Sequence, residues 1–318
     1  MRERVALIAA LGMSTLLAGS ASGSVIYNNL TPNNSMAIAA RPDLPGSFEI
    51  EAGDDFVATS SVSITSASFV GLEVPGTGGI PAVQDVVVEI YRVFPNDSDV
   101  GRTSGPPTFS TPEVPTRVNS PADVAFEIRD SAAVGELTFT TSLLNPTFVA
   151  DNSIQPGGIH PSPMQATGGN GPLTGQEVEF DVTLNTPFDL PADHYFFVPQ
   201  VSLSNGGQFY WLSASRPVSG TDIHGNPTTP FPAGFTDLQA WTRDAMLDPD
   251  WLRVGTDIVD TIGVSTPPTF NAAFSMNGDI VPEPASTVGV VIGLGLIGYH
   301  RWRKVTRGRI AAPSADQP

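Results

Sequence analysis

The stretch Glu177-Val-Glu-Phe-Asp-Val-Thr-Leu184 alternates without a break. Successive side chains of an extended chain point to opposite faces. Val178, Phe180, Val182 and Leu184 therefore share one side, and Glu177, Glu179, Asp181 and Thr183 the other. One apolar face and one acidic face make a half-buried strand of an antiparallel sheet.

The same reading extends in both directions. Residues 48–57 form an early strand-and-turn block, and residues 62–72 are rich in strand formers. Residues 83–94 are apolar enough for a central strand. Pro95-Asn-Asp-Ser-Asp-Val-Gly101 has turn chemistry, and shorter strands are expected at 124–128 and 136–141. Residues 195–203 and 208–214 read as a hairpin through Ser204-Asn-Gly-Gly207. Phe270, Ala272, Phe274 and Met276 alternate again near the end. Residues 237–245 are the single candidate for a soluble helix. Long Gly/Pro/Ser-rich loops are expected at 154–175 and 216–235. Gly (31) and Pro (30) exceed ordinary usage, as a turn-rich chain requires. Strands without interleaved helices predict an all-β fold, an antiparallel β-sandwich or jelly roll occupying residues 24–280.

Charge narrows the partners. The chain carries a formal charge of −17. Between Ser24 and Val281 there are 8 arginines, no lysine and 29 acidic residues, a balance of −21. Such a surface repels nucleic acid and anionic lipid. There is no cysteine, so no disulfide, thiol nucleophile or thiolate metal site is available. A long chain can hold itself together by its core alone.

Both ends read as addresses. Met1-Arg-Glu-Arg4 is a short, net-positive start. Residues 5–17 are apolar, and Ala18-Gly-Ser-Ala-Ser-Gly23 offers small residues for signal peptidase. Residues 1–23 are thus read as a secretory signal peptide. At the other end stands Val281-Pro282-Glu283-Pro284, then the uncharged apolar run 285–299, then Arg301, Arg303, Lys304, Arg307 and Arg309. The run is short against the ~20 residues, range about 17–25, that usually cross a bilayer. Its basic flank would place the tail 310–318 on the cytoplasmic side of the inner membrane. Tyr299 and Trp302 stand where interfacial aromatics belong. The match of Gly293, Gly295 and Gly298 to G-x-G-x-x-G is rejected as a nucleotide site, because it lies inside this apolar run and not after a strand.

The order of Pro-Glu-Pro, short apolar run and arginine cluster resembles the PEP-CTERM sorting signal of bacterial exported proteins. The match covers residues 281–309, and the tail after Arg309 is longer than the pattern. The resemblance implies a transient transmembrane helix, recognition by an exosortase, processing near Pro-Glu-Pro, and release or attachment at the cell surface. It also implies a bacterium of Gram-negative type and an association with exopolysaccharide.

Chemistry in the β region is sparse. None of His160, His194, His224 and His300 pairs at a metal-ligand spacing, and no G-x-S-x-G surrounds a serine. His160 and His224 lie in loops, where binding residues sit. Asp97 and Asp99, beside Asn96 and Gly101, resemble part of a calcium loop but lack its terminal Glu. Asp54-Asp55 and Asp248-Pro-Asp250 are further acidic pairs. Trp241 and Trp251 are candidate stacking platforms for sugar rings, whereas Trp211 belongs in a core. These features favour a non-enzymatic structural or adhesive surface protein. A carbohydrate-binding module, with calcium as a candidate ion, is the first alternative. A secreted hydrolase is the second, with no catalytic constellation to support it.

Overall fold

The computed structural model describes residues 23–79, 81–98, 114, 117–159, 166–260 and 266–282. Fifteen strands follow one another: β1 (Ser24–Asn28), β2 (Pro32–Ala39), β3 (Ile50–Ala58), β4 (Val62–Val74), β5 (Val83–Arg92), β6 (Glu127–Asp130), β7 (Leu137–Ala150), β8 (Ser153–Ile154), β9 (Leu173–Leu190), β10 (Asp193–Leu203), β11 (Gln208–Ala214), β12 (Trp241–Asp244), β13 (Leu252–Arg253), β14 (Asn271–Ala272) and β15 (Phe274–Ile280). One π-helical turn, Val254–Val259, follows β13.

The strands divide into two sheets, and every pairing is antiparallel except β2 with β8. The nine-stranded sheet runs β1-β15-β4-β11-β2-β8, with β14 on β11, and with β9 on the other side of β4 carrying β7 outermost. The six-stranded sheet runs β13-β12-β3-β10-β5-β6. Their inner faces meet through aromatic rings. Phe197 of β10 stacks on Phe274 of β15 at 5.3 Å and meets Trp211 of β11 edge-on at 6.0 Å. Phe69 of β4 stacks on its cross-strand partner Phe180 of β9 at 4.9 Å. The all-β expectation holds; on the acidic face of β9 Asp181 and Thr183 are exposed, whereas Glu177 and Glu179 are buried as well. Val178, Phe180, Val182 and Leu184 are buried in the core that joins the sheets.

Two expectations are corrected. Residues 237–245 form no helix, because β12 pairs with β3, putting Thr242 opposite Ala52 and Arg243 opposite Glu51. All four residues of β12 are buried, and tertiary pairing overrides a local pattern that suited a helix. The turn at 204–207 exists, with Gly207 N–H donating to the Ser204 carbonyl at 2.9 Å. Asn205 (φ 58) and Gly206 (φ 70) supply its left-handed backbone. Yet β10 and β11 do not pair. β10 is flanked by β5 along residues 195–203 and by β3 only at residues 193–197, and past Leu203 the chain arches into the other sheet, where β11 joins β4 and β2.

The ends of the described body meet. β1 pairs with β15, Ser24 opposite Gly278, and Val281 N–H donates to the Ser61 carbonyl at 2.8 Å.

Candidate functional site

The acidic face of β9 lies on the outside of the nine-stranded sheet and helps form a groove. Asn28, Ser275, Ser68 and Asp181 are cross-strand neighbours in register, one from each of β1, β15, β4 and β9. At roughly 4.8 Å per strand the polar row is about 14 Å long. Ser68 Oγ donates to Asp181 Oδ1 at 2.7 Å, leaving the other carboxylate oxygen available at the surface.

A loop forms the second wall. Asp222 Oδ1 accepts the backbone N–H of His224 (2.9 Å) and of Asn226 (2.7 Å), an Asx turn that explains why this Gly/Pro-rich segment takes one shape. Asn28 Nδ2 donates to Asp222 Oδ2 and to the Pro227 carbonyl, both at 2.9 Å, and so ties the loop to β1. The loop sets His224 over Glu179, with Nε2 2.9 Å from each carboxylate oxygen. Asn277, Ser142, Leu144, Val25 and Leu30 complete a hollow of about 330 Å³.

Burial pushes the Glu179 carboxyl up, only partly offset by the His224 contact. The Glu179 hydrogen bond in turn raises the His224 imidazole above its ordinary value. Burial also pushes Asp222 up, but hydrogen bonds from Asn28, Asn226 and the His224 amide outweigh it, so its carboxyl lies below the usual range. The groove thus offers acceptors, hydroxyls, carboxamides and one imidazole, and no Phe, Tyr or Trp ring among the described residues. Comparison with protein-family models, curated proteins and solved structures returns no match.

The residues expected from sequence are placed elsewhere. Trp241 and Trp251 are 2 % and 0 % exposed, which corrects their reading as sugar-stacking platforms. Trp251 donates its ring N–H to the Ala122 carbonyl at 3.1 Å and meets Tyr91 edge-on at 5.4 Å. Trp241 pairs with Gly53 on β3 and belongs to a buried cluster with Phe196, Val198, Leu238 and Trp251. Asp97 sits in the left-handed region (φ 53), 3.8 Å from Arg92, as a turn residue does. Asp99 lies outside the described residues. Among the described residues no three His, Asp or Glu groups are arranged to hold a metal ion. Asp54 and Asp55 are wholly buried on β3. Asp54 Oδ2 accepts Ala272 N–H at 2.7 Å, and Asp55 Oδ2 accepts Leu238 N–H at 3.0 Å, so these carboxylates fasten neighbouring segments to the central strand. His194 Nε2 lies 2.6 Å from Asp55 Oδ2. Burial drives the imidazole down to about 4 and raises Asp55 well above the carboxylate range, so burial disfavours a charged pair at this contact.

Of the sorting motif, Val281 and Pro282 are described and exposed. Glu283, Pro284, the run 285–299 and Arg301, Arg303, Lys304, Arg307 and Arg309 lie outside the described residues, as do residues 1–22. No helix among the described residues is long and apolar enough to cross a membrane.

The groove residues Asn28, Ser68, Asp222 and Asn226 were not singled out from sequence. Glu179 and Asp181 were, as an outward face. The contact that gathers them is between residues 45 positions apart, and no local pattern encodes it.

Proposed function

We propose that this chain is an exported cell-surface or matrix protein, delivered by an N-terminal signal peptide and a C-terminal PEP-CTERM-like segment with a membrane helix. In this reading it serves a structural or adhesive role by holding neutral glycan in the groove over β9. The observation that supports sorting is the fit of the body between the two addresses. β1 begins at Ser24, β15 ends at Ile280, and the two strands are paired, so both terminal segments leave from one place.

Groove chemistry supports the ligand class. Sugar hydroxyls donate to carboxylates and accept from amides, which is what Asp181, Glu179, Asn277 and Asn226 provide. An anionic polymer would meet three carboxylates and a single histidine, and is disfavoured. The leftover acceptor of Asp181 carries this reading.

Two measurements test it. Intact-mass spectrometry of the protein from its own host should show a species beginning near Ser24 and ending near Pro282–Pro284. A membrane form retaining Arg301 to Pro318 as the sole product would refute exosortase-type processing. Calorimetric titration with neutral and uronate-containing oligosaccharides should show saturable binding of the neutral series, weakened at least about tenfold by Asp181→Asn, the loss expected of one hydrogen bond to a charged acceptor. Preference for uronates, or binding indifferent to the substitution, would refute the groove assignment.

A further inference from the structure

Between Ser24 and Val281 the few cations are all arginines. Among the described residues nearly all of them are engaged. Arg41, Arg117 and Arg243 are buried, and Arg92, Arg129 and Arg253 sit in ion pairs that leave at most 29 % of the side chain exposed. Arg216 is the exception, with 71 % of its side chain exposed. It is nevertheless held in place. Its Nε lies 2.7 Å from Asp237 Oδ2, and Asp237 Oδ1 accepts Asn271 Nδ2 at 2.7 Å. One side of the guanidinium is thus anchored on a buried carboxylate that has its own second partner, and the rest stays open to solvent.

Its surroundings are apolar. Arg216, Pro217, Val218, Ser219, Pro230 and Phe231 line an open hollow of about 400 Å³. The walls are the two limbs of the loop that sets His224 over Glu179. Thr228 ties the limbs together, its N–H donating to the Gly220 carbonyl at 3.1 Å and its hydroxyl to the Val218 carbonyl. Asn29 Nδ2 donates to the Ser215 carbonyl at 3.0 Å, and Thr229 N–H to the Asn28 carbonyl at 2.8 Å, so both limbs are seated at the end of β1. Phe231 packs on the main core and against the His194 ring at 5.9 Å.

A guanidinium presents a planar fork of donors that matches a carboxylate, and one already oriented loses less freedom on binding. Walls of proline, valine and phenylalanine, with one hydroxyl at Ser219, suit an apolar body and would leave sugar hydroxyls without partners. The acidic body around the hollow repels polyanions, which favours a ligand with a single negative charge. We infer that the Arg216 hollow is a second binding site, taking one carboxylate carried on an apolar body. A small organic acid and the C-terminal end of a polypeptide are the two sources of that chemistry. The inference does not rest on the glycan reading of the groove.

Ligand-observed NMR titration of the full chain with N-acetylphenylalanine tests it. Saturable binding is expected, with the corresponding amide at least about tenfold weaker, the loss of a charge-assisted pair. Arg216→Gln should weaken binding of the acid by about tenfold or more. Val218→Asp should weaken it too, by setting a like charge on the rim. Val218 is 63 % exposed, so this variant keeps the urea midpoint and the Arg216–Asp237 pair, and it decides the matter if Arg216→Gln fails to fold. Asp181→Asn, in the groove, should change nothing. A short peptide ending in free phenylalanine separates the sources: tighter binding than the acid marks a chain end, equal binding a small acid, and both support the inference. Absence of saturable binding would overturn it. So would acid and amide bound alike, acetate bound as tightly as the acid, or indifference to both substitutions in the hollow.

Discussion

Replacing Glu89 by Gln should make the protein more stable as pH rises. Glu89 lies on β5, 6 % exposed, facing the cluster that joins β3, β5 and β12. Tyr91 hydroxyl is 2.7 Å from Glu51 Oε1 and 3.0 Å from Glu89 Oε2. Arg243 grips Glu51 with two nitrogens, reaches Asp248 at 2.8 Å, and lies over the Trp251 ring at 4.3 Å. Glu51 thus has a cation, and Glu89 has none. Burial, followed by the neighbouring Glu51 and Glu49, pushes the Glu89 carboxyl up to about 9. Its value in an unfolded chain is about 4.3, so the folded state holds a proton that the unfolded state releases between those limits. Stability from this group is therefore complete below about pH 4.3 and is lost as pH rises toward about 9, with a ceiling near 1.4 kcal/mol per pH unit. Between pH 6 and 8 the ceiling is about 2.7 kcal/mol, and rearrangement around Glu51 reduces it to about 1–2. Gln keeps the shape and a donor for Glu51, and never ionises. Urea unfolding of both proteins at pH 6, 7 and 8 gives the difference, with Asp54 and Asp55 contributing equally to both. Parallel stability curves, or a variant that loses ground as pH rises, would refute the reasoning.

Gly71→Ala should cost about 1–3 kcal/mol, the range of overpacked cores, because a methyl there would stand 2.2 Å from Phe209 Cε2 and 2.6 Å from the Tyr210 carbonyl; the urea midpoint reports it. Trp251→Ala should cost about 3–5 kcal/mol as a buried ring lost, while glycan titration on the folded fraction stays unchanged. His194→Gln should flatten the acid limb: with a folded value near 4, the native imidazole stays neutral where the unfolded one protonates, so stability present above about pH 6.5 is lost as pH falls toward 4, and thermal melts across that window show it. Asp222→Ala should release the Asn28 tie and the turn that carries His224. Histidine NMR titration should then return His224 toward the ordinary imidazole range.

The alternation in β9 was legible because it is local: period two needs only neighbours. The arch at 204–207 was half legible. Its residues declare a turn, but the strand beyond it pairs with β4 and β2 in the other sheet, and these lie far away in the chain. β12 was misread for a related reason. Trp241, Thr242, Arg243 and Asp244 are all buried, so no alternation marks them, and Arg243 finds its main partner in Glu51 across the ladder. The tryptophans misled because large rings serve cores as readily as ligands. The site itself was legible only in part, since Glu179 and Asp181 announce a polar face while His224 reaches it from a distant loop.

The pairing of β1 with β15 has a mechanical meaning. If the chain is tethered through the residues after Pro282, as proposed above, tension enters β15 at its end and runs along the strand. β15 is held on both flanks, by β1 and by β4. A pull along that axis loads two ladders in parallel, as a tongue held in a groove on either side, and not one bond at a time from an open edge. The strand nearest that proposed tether is the one best seated to carry force into the body.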